Sequence, residues 1–288
     1  MERIKQAVER AKASVSGEGL RPMDMPNPQI AQPRTAMPAQ SLTRVSEPIS
    51  GQANSIQSCN KVALNWPYLE QRRIVGHNIA DPRSRTFDML RTQVLQAMDQ
   101  KNWQFLAITS PTEGCGKTVI AVNLALSIAR QPERSALLID LDLPRPSVAD
   151  YLGITVREGV LGILEGRTSL ADAVIRVDAD SSEIMVLPAE APTVRSSELI
   201  GSRHMNAMLQ DIKRMFKSQV AILDMPPLLQ GDEVLATLPR IDAVLLVTAV
   251  GVTTLHEIRE CNRHLQATEV IRLVLNKSHE MMKRHYYY

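Results

Sequence analysis

Cysteine is nearly missing. The three that occur, Cys59, Cys115 and Cys261, lie far apart, are odd in number and form no CxxC pair. That pattern excludes a disulfide framework and a zinc site built on paired thiolates, and it favours a reducing compartment. Aromatic residues are scarce as well, with three Phe, two Trp and five Tyr. Net charge is only +2, too little to argue for nucleic acid or an anionic membrane surface as a partner. There is no run of 18 apolar residues and no signal peptide. The expectation is a cytoplasmic chain that neither spans a membrane nor is exported.

Ordered sequence is unevenly distributed along the 288 residues. Residues 1–14 read as a short amphipathic helix, with Ile4, Ala7, Val8 and Ala11 on one face, and are a candidate docking element. From residue 15 to about 80 prolines mix with Gln, Ser and Asn, and apolar residues show no period. This reads as a disordered arm, in which Trp66-Pro67-Tyr68-Leu69 is the one patch suited to packing. Residues 81–276 read as one domain, and 277–288 as a flexible tail.

Within that domain the sequence Ser110-Pro111-Thr112-Glu113-Gly114-Cys115-Gly116-Lys117-Thr118 follows the apolar run Phe105–Thr109 and opens an apolar helix. Strand, small-residue loop, Gly-Lys-Thr, helix is the context of a phosphate-binding P-loop. Backbone N–H groups and the helix dipole favour phosphate there. Residues Thr112, Glu113, Gly114, Cys115, Gly116, Lys117, Thr118 and Val119 are the expected nucleotide contacts. Lys117 reaches the β- and γ-phosphates, and the Thr118 hydroxyl is a Mg²⁺ ligand. The pattern departs from the full motif at Pro111, where a glycine is usual, and Cys115 reads as a tolerated small side chain.

Apolar strands then alternate with helices: 136–140, 184–187, 220–224, 243–247 and 270–275, separated by helical stretches. Unbroken apolar strands of this kind predict a mostly parallel sheet covered on both faces, an α/β P-loop NTPase. Two strands end in acid, one at Asp140 followed by Asp142 and Arg145, the other at Asp224 before Met225-Pro226-Pro227. In a parallel sheet both reach the edge that carries the phosphate loop. Carboxylates there suit Mg²⁺, expected on Thr118, Asp142 and Asp224, and one can accept a proton. Asp140 is the first choice for that base, with Asp142 exchangeable. Arg145 is open between a phosphate and Asp142. Asn276 closes the last strand and is a candidate for reading adenine.

These motifs resemble the bacterial tyrosine kinases of capsule and exopolysaccharide synthesis. Ser110–Thr118 looks like their P-loop, 138–145 like their Asp-x-Asp motif, and 220–227 like their strand ending Asp-x-x-Pro. Leu187-Pro188-Ala189-Glu190 resembles the family's Leu-Pro-Ala-Gly, with Glu190 in place of glycine. The opening Met1-Glu2-Arg3-Ile4 resembles the exosortase-associated branch. Partition-type ATPases are a sister group, but Thr112 stands where they carry a lysine.

The resemblance implies an ATP- and Mg²⁺-dependent tyrosine autokinase, with catalytic residues Lys117, Asp140 and Asp142. It also implies phosphorylation of a C-terminal tyrosine cluster, here Tyr286, Tyr287 and Tyr288. At ~3.3–3.6 Å per extended residue the tail spans about 40 Å and can visit an active site. The implied partners are a separate membrane chain-length determinant as activator, a tyrosine phosphatase, and further copies of the chain as a homo-oligomer. That partner would place the chain at the inner membrane. The family's assembly motif Glu-x-x-Arg-x-x-Arg is altered here, with Arg85, Asp88 and Arg91 at the matching positions. The alternatives are a membrane-recruited ATPase and a nucleotide-dependent scaffold of the export machinery.

Overall fold

The computed structural model describes residues 61–179, 182–217, 219–266 and 268–278. The expected helix at 1–14, the arm to residue 60 and the three terminal tyrosines lie outside the described residues. Regular structure is present from Lys61 onward, within the stretch expected to be an arm up to residue 80. Strand β1 (Lys61–Ala63) and helix α1 (Trp66–Gln71) come first. Asn65 caps α1 by accepting the Tyr68 N–H, and a proline opens its first turn. Leu69 and Ile74 have no exposure, and Trp66 stacks on His77 at 4.4 Å. This segment packs because it carries enough apolar surface to belong to the core, which its proline-rich context conceals.

Helix α2 (Ser84–Lys101) leads to β2 (Phe105–Thr109), the P-loop and α3 (Lys117–Ala129). The order continues β3 (Ala136–Asp140), α4 (Val148–Leu152), α5 (Val160–Leu164), α6 (Leu170–Ala173), β4 (Ile175–Ala179) and β5 (Ser182–Leu187). It ends α7 (Ser196–Ile200), α8 (Arg203–Met215), β6 (Val220–Asp224), α9 (Glu233–Thr237), β7 (Ala243–Ala249), α10 (Leu255–His264) and β8 (Glu269–Asn276). The strands form one sheet in the order β1-β4-β5-β3-β6-β2-β7-β8. Six of them run parallel from β5 to β8. The β4–β5 pair is antiparallel, and β1 lies parallel to β4.

Side chains of each strand alternate between two apolar layers. Leu106, Ile108 and Leu138 pack with α2 and α3 on one face. Phe105, Ala107 and Leu137 pack with α5 to α10 on the other. Helix α3 is buried on nearly its whole length, from Ile120 to Ala129, so its apolar sequence has no polar stripe. The sheet register puts Asp140 directly opposite Asp224 on neighbouring strands. Ile108, one residue before the end of β2, lies opposite Asp224 in turn. The phosphate loop and both acids therefore leave the sheet side by side.

Candidate functional site

The loop between β2 and α3 closes on its glycines. Gly116 sits at φ 90, and a Cβ there would lie 2.4 Å from Asn276 Nδ2, so a side chain is excluded by both conformation and space. Pro111 is buried, and its carbonyl accepts the Leu229 N–H at 3.2 Å. The loop start is thus fixed from the β6 side, which accounts for a residue other than glycine there. Residues 113–119 line a cavity of about 850 Å³ together with Asp142, Arg145 and Asn276. Asn276 donates to the Cys115 carbonyl at 2.9 Å, while the Cys115 side chain turns inward, its sulfur 3.4 Å from Thr253 Oγ1.

The polar centre is compact. Lys117 Nζ lies 2.6 Å from Asp142 Oδ2. Thr118 Oγ1 donates to Asp224 Oδ2 at 2.6 Å and lies 3.1 Å from Ser147 Oγ. Burial alone would lower the Lys117 pKa, but Asp224, Asp142 and Asp140 outweigh it and hold the ammonium above its ordinary value. Burial pushes Asp224 up to about 6, although Lys117 and the Thr118 hydroxyl pull it down. Burial, with Asp224 alongside, pushes Asp140 up to about 8.

Even with Asp140 protonated near neutral pH, Asp142 and Asp224 outnumber the one lysine, and Asp224 Oδ1 is buried without a hydrogen-bond partner. A divalent cation beside Thr118 and Asp224 answers both features. Among the described residues no three His, Cys, Asp or Glu side chains gather to hold a metal alone. Mg²⁺ on a nucleotide takes much of its shell from phosphate and water, so the donor set fits it.

Most of the expected residues are brought together, with four differences. Asp224, expected as a Mg²⁺ ligand, is fully buried and absent from the cavity wall; it accepts the Thr118 hydroxyl from behind. Thr112 does not line the cavity; its carbonyl accepts the Ser110 hydroxyl at 2.7 Å, which turns the residue aside. Arg145 does not use its guanidinium on Asp142 but pairs it with Glu113 across the cavity mouth. Asp140 is fully buried and absent from the cavity wall. Its Oδ2 accepts the N–H groups of Ser147 and Val148, both at 2.9 Å, and its Oδ1 accepts that of Asp142 at 3.2 Å. It shapes the loop that carries Asp142.

Sequence reasoning missed the wall contributed by Gln71, Arg72 and Arg73, together with Ser147 and Tyr151. The Asn65-Trp66-Pro67 cap signature was the available signal for the helix leading to them. At the altered assembly motif, Asp88 is taken up within the chain by Arg91, Arg130 and the Ser127 hydroxyl.

A family model described as ParA, NUBPL iron-transfer P-loop NTPase, matches residues 102–284. EpsB of Ralstonia solanacearum is 31% identical over 207 residues, which cover 70% of this chain and 26% of that protein. The chain therefore spans about a quarter of the length of that relative. The tyrosine-protein kinase CpsD of Streptococcus pneumoniae is 30% identical over 60% of this chain and 75% of its own length. The crystal structure of the VpsO kinase domain superposes with a TM-score of 0.58 at 30% identity, covering 67% of this chain and 94% of that one. The chain belongs to the ParA-type P-loop NTPases and, among them, to the bacterial tyrosine kinases of capsule and exopolysaccharide biosynthesis.

Proposed function

We propose that the chain is an ATP-dependent tyrosine autokinase that regulates exopolysaccharide polymerisation and export, with Tyr286, Tyr287 and Tyr288 as acceptors. The observation that carries this is the meeting of Lys117, Thr118 and Asp142 on one cavity wall at the end of a parallel sheet, with the buried Asp224 behind Thr118. The loop N–H groups and Lys117 hold the ATP phosphates. Thr118 and, directly or through water, Asp142 and Asp224 would hold Mg²⁺, which would neutralise charge on the phosphate oxygens. Asp142 faces the cavity, whereas Asp140 does not. Asp142 therefore takes the tyrosine proton once phosphate draws Lys117 from it, and Asp140 keeps the loop in place. Asn276, whose amide donates to the Cys115 carbonyl beside Gly116, is retained as the candidate for reading adenine.

The same reading gives the chain a separate membrane chain-length determinant as activator, a tyrosine phosphatase as its reverse, and a homo-oligomeric state at the inner membrane. No helix among the described residues is long and apolar enough to cross a membrane. Each phosphate on the tail adds about −1.5 to −2 charges. A phosphorylated tail then fits a carboxylate-rich site poorly and leaves it.

The test is phosphotyrosine mapping by mass spectrometry after incubation with Mg-ATP, beside Lys117→Met and a form lacking Tyr286–Tyr288. Phosphate on the tail, reduced by about 100-fold or more in Lys117→Met, is the expected result, since phosphoryl transfer depends on charge neutralisation. ATP turnover without tail phosphate, even with the activator's cytoplasmic segment added, would replace the kinase by an ATPase or scaffold.

A further inference from the structure

Gln71, Arg72 and Arg73, at the end of α1, form part of the cavity wall and begin a strap that runs to residue 78. Its attachment is unusually specific. Asn123, fully buried in the middle of α3, accepts the Val75 and Gly76 N–H groups on Oδ1, both at 2.7 Å. Its Nδ2 donates to the carbonyls of Arg73 at 3.1 Å and Val119 at 2.7 Å. Gly76 approaches so closely that a Cβ would lie 2.3 Å from the Asn123 carbonyl oxygen. One amide thus ties the strap to the helix whose first turn forms the phosphate nest.

Arg73 sits at the centre of this attachment in a left-handed conformation, φ 63, which side chains adopt reluctantly and glycine adopts freely. Of the other four cations lining the cavity three are engaged, and Lys277, beside Asn276, has no ion pair among the described residues. Lys117 is held by Asp142, Arg145 by Glu113, and Arg72 by Asp150 and Tyr68. Arg73 faces the cavity, is exposed, and its guanidinium has no bonded partner among the described residues. A cation at the cavity wall is therefore carried on backbone tied down by Asn123, at a conformational cost that glycine would avoid.

Its position indicates what it meets. Arg73 and Val119 share the Asn123 amide, so Arg73 lies beside the turn that follows Thr118. Lys117 reaches the β- and γ-phosphates, and the loop N–H groups cradle the α- and β-phosphates. Guanidinium groups bind phosphate oxygens through paired, charge-assisted hydrogen bonds. We infer that Arg73 is a nucleotide-binding residue whose guanidinium contacts the α-phosphate and ribose end of a nucleoside di- or triphosphate held by the P-loop. This rests on the nucleotide reading above and adds to it a cation from outside the motif.

The test uses the full chain and two readouts. Fluorescent ADP and ATP analogues with Mg²⁺ give dissociation constants, and thermal unfolding without nucleotide gives stability. The proteins are wild type, Arg73→Gly, Arg73→Lys and Lys117→Met. Arg73→Gly is expected to bind both nucleotides about tenfold more weakly, because the α-phosphate is common to them. Its melting temperature is expected to be unchanged or higher, because glycine accepts this backbone conformation. Arg73→Lys is expected to fall between it and wild type.

Affinities in Arg73→Gly equal to those of wild type for both nucleotides would overturn the inference. A loss for ATP alone would overturn it too, since the contact would then lie at the γ-phosphate. A lower melting temperature with unchanged affinity would make Arg73 a structural residue. Wild type failing to bind either nucleotide would instead sink the nucleotide reading, so the two failures are told apart.

Discussion

A carboxylate with no exposure destabilises a fold unless neighbours compensate it. Asp224 is compensated in part. One oxygen takes the Thr118 hydroxyl, the other has no partner, and its register neighbour is another buried acid, Asp140. Asp224→Asn keeps the shape and an acceptor for Thr118 while removing charge. Without metal, it is expected to raise stability by about 1 kcal/mol, or about 2–4 °C in melting temperature for a domain of this size. Autophosphorylation in Mg-ATP is expected to drop at least tenfold with it. Thermal scans in EDTA beside a kinase assay would check both, and a melting temperature lowered by the substitution would contradict the charge argument. At this scale the sequence was legible wherever a residue's role follows from its neighbours in the chain, as with an acid closing an apolar run. It was not legible where a partner comes from a distant loop. Glu113 was not the expected partner of Arg145. Glu190, standing where the resemblance expects glycine, accepts the N–H groups of Leu161 and Gly162 and so caps α5, while pairing with Arg167.

Elements follow the same division. β2, β3, β6, β7 and β8 announce themselves as unbroken apolar runs, because a parallel strand is covered on both faces. β4 is half-covered, alternating buried and partly exposed residues from Ile175 to Ala179, and is short enough to be read as a connection. The strap was hidden for another reason. Its attachment combines the buried Ile74 and Val75 with one polar side chain on α3, and neither shows as a period in the sequence. Asn123→Ala would leave the Val75 and Gly76 N–H groups buried without an acceptor, at about 1–3 kcal/mol for each unmet group. A total loss of about 2–6 kcal/mol is therefore expected. The strap should also become the first site of tryptic cutting, at Arg72 or Arg73, while α3 stays protected by its apolar contacts. Limited proteolysis followed by mass mapping would show this. Resistance equal to wild type would mean that Trp66, Leu69 and Ile74 hold the strap without the amide.

For the whole molecule, the question is where the domain starts. The sequence reading put the boundary at Asp81, but β1 is an edge strand of the sheet and α1 leads into a cavity wall. β1 is three residues long, and Lys61 bridges Asp178 and Glu183 on β4 and β5. Such short, charged edges resist pairing with other chains. At the opposite edge, β8 leaves Leu273 and Leu275 half-exposed or more. A chain beginning at Asp81 would lose Leu69, Ile74 and Val75 from the core and uncover the long edge of β4. Burying side chains of this kind contributes about 1.5–3 kcal/mol each, a loss of roughly 5 kcal/mol or more before the entropy regained by the missing residues offsets part of it. Compared with a chain beginning at Lys61, the shorter one is therefore expected to melt about 10 °C lower or more. It should also bind nucleotide more weakly, since Arg72 and Arg73 go with the segment. Equal melting temperatures would return residues 61–80 to the status of an arm. A lower melting temperature with unchanged nucleotide affinity would keep the segment as scaffold and remove it from the site.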